Sequence, residues 1–123
     1  MNAPFEVTGI DHVVFHVKDL ACSRKFYTEF LGMEVEHESS WQVFLRCGSQ
    51  GVALFQARNG AEIHAGDEVN HMALRLKSGE YEKVKAVLEE AGIKVSGRKG
   101  DPRCIYFSDP DGHRLQLLTP AEY

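Results

Sequence analysis

No run of apolar residues in this chain approaches the roughly 20 needed to cross a bilayer, so a membrane partner is not expected. Blocks of basic residues are absent too. Net charge is −4, from 14 basic and 18 acidic residues, which makes nucleic acid and anionic membrane surfaces poor partners. Cysteine is scarce. Cys22, Cys47 and Cys104 are odd in number and fit no C-x-x-C spacing, which argues against a disulfide scaffold and for a reducing compartment. The opening MNAPFEVTGI lacks the basic-then-apolar pattern of a secretory leader. A cytoplasmic protein is therefore expected. The 123 residues that are present, 43% hydrophobic and 26% charged, match one ordinary globular domain.

The chain repeats itself. IDHVVFHV at 10–17 alternates as a strand does, and DLACSRKFYTEFLG then places Leu20, Phe26, Tyr27, Phe30 and Leu31 on one helical face. Asp19 predicts an N-cap and Gly32 a stop. Strands are expected near 33–37, 41–47 and 51–57. The second half follows the same order: VNHMALRL at 69–76, then GEYEKVKAVLEEAG with Tyr81, Val84, Leu88 and Ala91 on one face and Gly92 as the stop. Strands near 93–96, 103–108 and 113–119 complete it. His12 and His71 hold equivalent places, and GMEV at 32–35 answers GIKV at 92–95. The reading is one domain of two βαβββ modules, about 8–58 and 69–119, joined by a polar linker at about 59–68. Each module has a sheet face that its helix cannot cover, so two copies can enclose a cleft.

Alternation separates the two faces of each strand. Val13, Phe15 and Val17 oppose His12, Val14 and His16. Met72, Leu74 and Leu76 oppose His71, Ala73 and Arg75. Ile105 and Phe107 oppose Cys104, Tyr106 and Ser108, and Leu115 and Leu117 oppose Arg114, Gln116 and Leu118. One face is uniformly apolar. The other carries His, Arg, Tyr, Cys and Gln but no Lys, Glu or Asp, which fits a half-buried site better than a solvated surface.

The segments IDHVVFHVKDLACSRKFYTEFLGMEV, VNHMALRL and IYFSDPDGHRLQLL, in this order, resemble the vicinal oxygen chelate superfamily of glyoxalases, bleomycin-resistance proteins and extradiol dioxygenases. The resemblance covers residue 8 to about 119. It implies an α+β fold of two βαβββ modules forming a barrel-like cleft, and a homodimer. It also implies a divalent metal (Fe, Mn, Ni, Co or Zn) that holds substrate oxygens. Carried over position by position, the metal ligands fall on His12, His71 and Gln116. The last stands where a glutamate is usual. A further fourth-strand ligand of some members falls near Leu54, which cannot coordinate, with Gln56 on the same face two residues on. At YFSDPDGHRL the resemblance is to fosfomycin-resistance members, although Val14 stands where a polar residue is expected.

Two histidines and one oxygen from three strands leave open positions on a metal. The amide oxygen of Gln116 brings no charge, so two readings follow. In the first, the chain is a metal-dependent lyase, isomerase, thiol transferase or dioxygenase acting on a small oxygenated organic acid, with Tyr106 moving a proton and Arg75 and Arg114 holding an anionic group. In the second, it is a metal-free binding or sequestration protein of the bleomycin-resistance type. Cys104 lines the same face as a thiol or as a small packing residue. His16 lies four residues from His12, roughly 13 Å along a strand, too far to share one ion. His37 and His64 read as turn or linker residues, His113 as turn-adjacent, and Trp41 as core.

Overall fold

The computed structural model describes residues 4–6, 8–59, 61–63, 69–97 and 105–119. The chain divides into two compact units, Met1–Ile63 and His64–Tyr123. Each combines a sheet with helical structure, the α+β organisation that the internal repeat predicts.

The first unit runs β1 (His12–Val17), α1 (Leu20–Lys25), β2 (Glu34–Glu38), β3 (Gln42–Cys47) and β4 (Gln50–Gln56). Its sheet order is β1-β4-β3-β2, with β1 and β4 parallel and the other pairs antiparallel. Asp19 starts α1 as expected: its Oδ1 accepts from the N–H of Cys22 at 3.1 Å. The helix then widens into a π-helical turn, Phe26–Phe30. There the N–H of Leu31 donates to the carbonyl of Phe26, and that of Met33 to the carbonyl of Tyr27. Gly32 follows at φ 76°, a left-handed conformation that glycine adopts without a Cβ clash. Ser23 and Tyr27, one turn apart, are fully buried, and α1 packs on β3 and β4.

Register divides the sheet into two faces. Phe15, Leu54 and Val43 stand in one cross-strand row, and Val13, Val52 and Leu45 in the next. These form the apolar face. The other face carries the rows His12–Gly51–Arg46, Val14–Ala53–Phe44 and His16–Phe55–Gln42. A bulge in β2 between Val35 and His37 breaks simple alternation. It brings His37 beside Phe44, where the rings stack at 4.6 Å. It also turns Glu38 the other way, to receive Arg24 of α1 in a two-pronged contact (Nε to Oε1 2.7 Å, Nη2 to Oε2 3.1 Å).

The second unit contains β5 (Met72–Arg75), α2 (Tyr81–Glu90), β6 (Ile105–Ser108) and β7 (Arg114–Leu118), with sheet order β5-β7-β6. β7 is central, parallel to β5 and antiparallel to β6. Gly92 (φ 80°) ends the helical stretch as Gly32 does in the first unit. Of the strand expected near 93–96, the described residues show one bridge, Ser96 with Tyr106, whose N–H and carbonyl groups exchange two 2.9 Å hydrogen bonds. Gly97 follows at φ 131°, which turns the chain out of an extended path. Leu115 pairs with Met72 and Phe107, and Leu117 with Leu74 and Ile105. Among these Ile105, Phe107, Leu115 and Leu117 are buried, so the apolar face read from the sequence is the face that forms the core. Among the described residues no helix is long and apolar enough to cross a membrane.

The Arg24–Glu38 contact carries a pH signature. Hydrogen bonding from Arg24 holds the Glu38 carboxyl below its ordinary range, and the same contact raises Arg24. A depressed carboxylate stabilises the fold above its unfolded-state pKa, and that contribution is lost as pH falls through the lowered folded-state value. Both side chains are about two-fifths exposed, so the effect is small and screened by salt. Glu38→Gln is expected to flatten the acid side of a plot of thermal midpoint against pH at low salt. An unchanged acid slope would contradict this assignment.

Candidate functional site

Four residues singled out from the sequence come together in the second unit. Ala73, Gln116 and Tyr106 form one cross-strand row on the face opposite the leucines. Gln116 is 9% exposed, which is unusual for an amide and fits a residue turned into a built site rather than into water. His71 immediately precedes β5. Its ring meets Tyr106 edge-on, with centroids 5.2 Å apart and planes at 89°. The guanidinium of Arg114 lies over the same Tyr106 ring at 4.8 Å. That cation–π contact contributes about 0.5–1 kcal/mol at a partly exposed position. It holds a positive charge on this face while leaving guanidinium N–H groups to meet an anion. Arg75 is not part of the cluster: it pairs with Leu118 at the far end of β5, four residues or roughly 13 Å from His71.

In the first unit His12 opens β1. Opposite it stands Gly51, whose N–H donates to the carbonyl of Asp11 at 2.8 Å. A Cβ at Gly51 would lie 3.1 Å from the Cβ of His12 and 3.5 Å from the carbonyl oxygens of Asp11 and Leu45. The missing side chain is what leaves His12 its place. Phe44 meets the His12 ring at 5.2 Å, edge-on, and carries His37 stacked on its other neighbour side. A groove of ≈ 640 Å³ opens here, lined by residues that include Asp11, His12, His37, Phe44 and Arg46. Its size suits a small organic molecule. His16 sits in a different row, against Phe55, as its distance along the strand requires.

Several expectations change. Leu54, the position matched to a fourth-strand ligand, is fully buried in the row of Phe15 and Val43. It belongs to the apolar face; the opposite face of β4 presents Gly51, Ala53 and Phe55. Gln56 is occupied structurally. Its Nε2 donates to the carbonyl of Lys18 at 2.6 Å, and its Oε1 accepts from the N–H of Leu20 at 3.0 Å, which ties β4 to the start of α1. His37 is a strand residue rather than a turn residue, because of the bulge. Trp41 is 53% exposed and packs edge-on against Phe55, so it is not core. Cys104 and His64 lie outside the described residues. Burial raises the Cys47 thiol above its ordinary range, which disfavours the reactive thiolate.

Sequence reasoning missed one grouping. Asp109, Asp111 and His113 bring potential ligand atoms within 4.8 Å of one another. The signal was the D-P-D-G-H string, which reads as a turn, and a turn is what it builds: Asp109 Oδ1 accepts from the N–H groups of Asp111 and His113, both at 2.9 Å. The buried carboxylate thereby aligns the entry into β7.

The donor chemistry fits a divalent metal. Nδ1 of His12 lies 3.1 Å from Asp11 Oδ1, and Nδ1 of His71 lies 2.8 Å from Asn70 Oδ1. With Nδ1 engaged in both rings, Nε2 is the ring nitrogen that each histidine keeps for a ligand. Gly51→Val is expected to displace the His12 ring from Phe44 and shift its imidazole NMR signals, with β1–β4 pairing retained by circular dichroism. Unchanged His12 signals would remove the role assigned to Gly51.

Comparison with known proteins agrees with this picture. The family model of the Glyoxalase/Bleomycin resistance protein/Dioxygenase superfamily matches residues 9–117. The chain is 29% identical over 120 residues to the metallothiol transferase FosB of Staphylococcus epidermidis, covering 93% of this chain and 83% of that protein. It is 31% identical over 112 residues to the glutathione transferase FosA of Serratia marcescens, covering 89% and 79%. The solved structure of the genomically encoded fosfomycin resistance protein FosX from Listeria monocytogenes has the same fold, with a TM-score of 0.73 at 21% identity, over 95% of this chain and 97% of that one. With the paired modules, the histidine that opens each of them and a family match spanning nearly the whole chain, this protein belongs to the glyoxalase/bleomycin resistance/dioxygenase superfamily.

Proposed function

We propose that the protein is a metal-dependent transferase that joins a low-molecular-weight thiol to a small, oxygenated, anionic substrate. The observation that carries this reading is the cluster of His71, Tyr106, Arg114 and Gln116 on one sheet face, in a chain whose relatives are named metallothiol transferase and glutathione transferase. The family resemblance implies His12, His71 and Gln116 as the metal ligands, and each stands on the polar face of its own sheet or at the start of it. When bound, a divalent ion polarises adjacent substrate oxygens. Arg114 holds the anionic group, and its charge rests against the Tyr106 ring when no substrate is present. The thiolate sulfur donates its electron pair to a substrate carbon, a carbon–oxygen bond breaks, and its pair remains on oxygen. The phenol of Tyr106 gives that oxygen a proton. Arg75 stands at the outer end of the same face, to meet longer substrates. Because Gln116 adds no negative charge, an anionic substrate supplies charge that a glutamate otherwise would. The family resemblance supports a cytoplasmic homodimer as the working assembly.

The test is to load metal-free protein with Mn, Co, Ni or Zn and follow loss of free cysteine or glutathione against small carboxylates and phosphonates, fosfomycin included. Adduct formation that EDTA abolishes is expected. Tyr106→Phe should lower kcat by roughly 10²–10⁴. Arg114→Ala should raise KM by about tenfold or more, as loss of a charge-assisted hydrogen bond does. His71→Ala should abolish tight metal binding. Stabilisation by an organic ligand that EDTA leaves untouched, with no thiol loss for any substrate, would replace this reading with a metal-free binding role.

A further inference from the structure

The residue before each ligand histidine repeats in structure as well as in position. Asp11 Oδ1 meets Nδ1 of His12, and Asn70 Oδ1 meets Nδ1 of His71. Within a regular strand, neighbouring side chains point to opposite faces and cannot make this contact. Here both contacts fall where a strand begins. β1 starts at His12 and β5 at Met72, so residues 11 and 70 precede the pleat and their side chains can turn back onto the following ring. At residue 11 the main chain is also pinned, its carbonyl accepting the Gly51 N–H. Only a short side chain with an oxygen at the δ position closes such a contact, and the two halves use the two residues that provide one.

We infer that Asp11 and Asn70 are positioning residues that set the tautomer of His12 and His71, keeping the proton on Nδ1 and the lone pair on Nε2. A carboxylate can only accept, so Nδ1 of His12 is the donor. Asn70 faces His71 with its amide oxygen, and in that orientation Nδ1 of His71 is the donor too. Histidine free in water favours the opposite form, with the proton on Nε2, and a ring in that form must rearrange before Nε2 can bind an ion. The two residues differ in one respect. Asp11 brings a charged acceptor to the outer nitrogen of His12, whereas Asn70 brings a neutral one to His71. The inference rests on the metal-dependent reading for its purpose, but not for its measurement.

The experiment reads the metal-free, full-length protein by long-range ¹H–¹⁵N correlation spectra at a pH where both rings are neutral. In the unsubstituted protein both His12 and His71 should show the Nδ1–H pattern. Asp11→Ala should move His12 toward Nε2–H and leave His71 unchanged, and Asn70→Ala should do the converse. Asp11→Asn and Asn70→Asp, which keep the acceptor oxygen, should keep the Nδ1–H pattern and also guard against an unfolded alanine variant. Divalent-metal affinity should fall about 10- to 100-fold in Asp11→Ala and by less in Asp11→Asn, where only the charge is lost. An Nε2–H pattern in the unsubstituted protein, or Nδ1–H retained in both alanine variants, would overturn the inference. Correct tautomers in a protein that takes up no metal would instead sink the metal-dependent function and leave this assignment standing.

Discussion

The position of β7 between two partners governs the second unit. Its ladders to β5 and β6 hold Gln116 level with Ala73 on one side and Tyr106 on the other. A slip of one residue on either side would exchange every side chain between faces, sending Leu115 and Leu117 toward the site and Gln116 into the apolar layer. The apolar rows of Met72, Leu115 and Phe107, and of Leu74, Leu117 and Ile105, therefore do two things at once. They form the core, and they prevent the polar row from moving. The Asp109 turn adds a local constraint by fixing where β7 begins. β4 has the same central role in the first unit, where it sets Gly51 opposite His12.

Charge shapes what such a site can accept. In the proposed metal-bound form, two histidines and a neutral amide would leave the charge of a divalent ion uncompensated, so an anionic substrate and the ion would favour each other's binding. This coupling gives a physical reason for anionic substrates that does not depend on the shape of any pocket.

Much of this was legible in the sequence because alternation is unbroken where it matters. Four segments, those containing His12, Ala73, Tyr106 and Gln116, show clean two-residue periodicity, and each presents the expected face. Asp19 and the glycines at 32 and 92 acted as written. Legibility failed where the backbone departs from a period of two. The bulge in β2 reverses the parity of His37 and Glu38, and nothing in EVEHE announces it. Leu54 was matched to the wrong face because a family position was carried over without the register that pairs it with Phe15. The strand near 93–96 has suitable residues, and among the described residues it pairs only at Ser96. Contacts between adjacent residues, such as Asn70 with His71, lie beyond any periodicity argument, since they depend on a strand not yet having begun.

β2 forms one rim of the first sheet, and its sequence of Glu34, Val35, Glu36, His37 and Glu38 sets three carboxylates along five residues. An open strand rim is ordinarily a template for another chain, and flat apolar rims seed aggregates. Here negative charge repels a second copy of the same strand, and the kink between Val35 and His37 spoils the straight row of N–H and carbonyl groups that an incoming strand would need. The irregularity that carries His37 to Phe44 is thus also the kind of kink that makes an edge strand a poor template for a second chain.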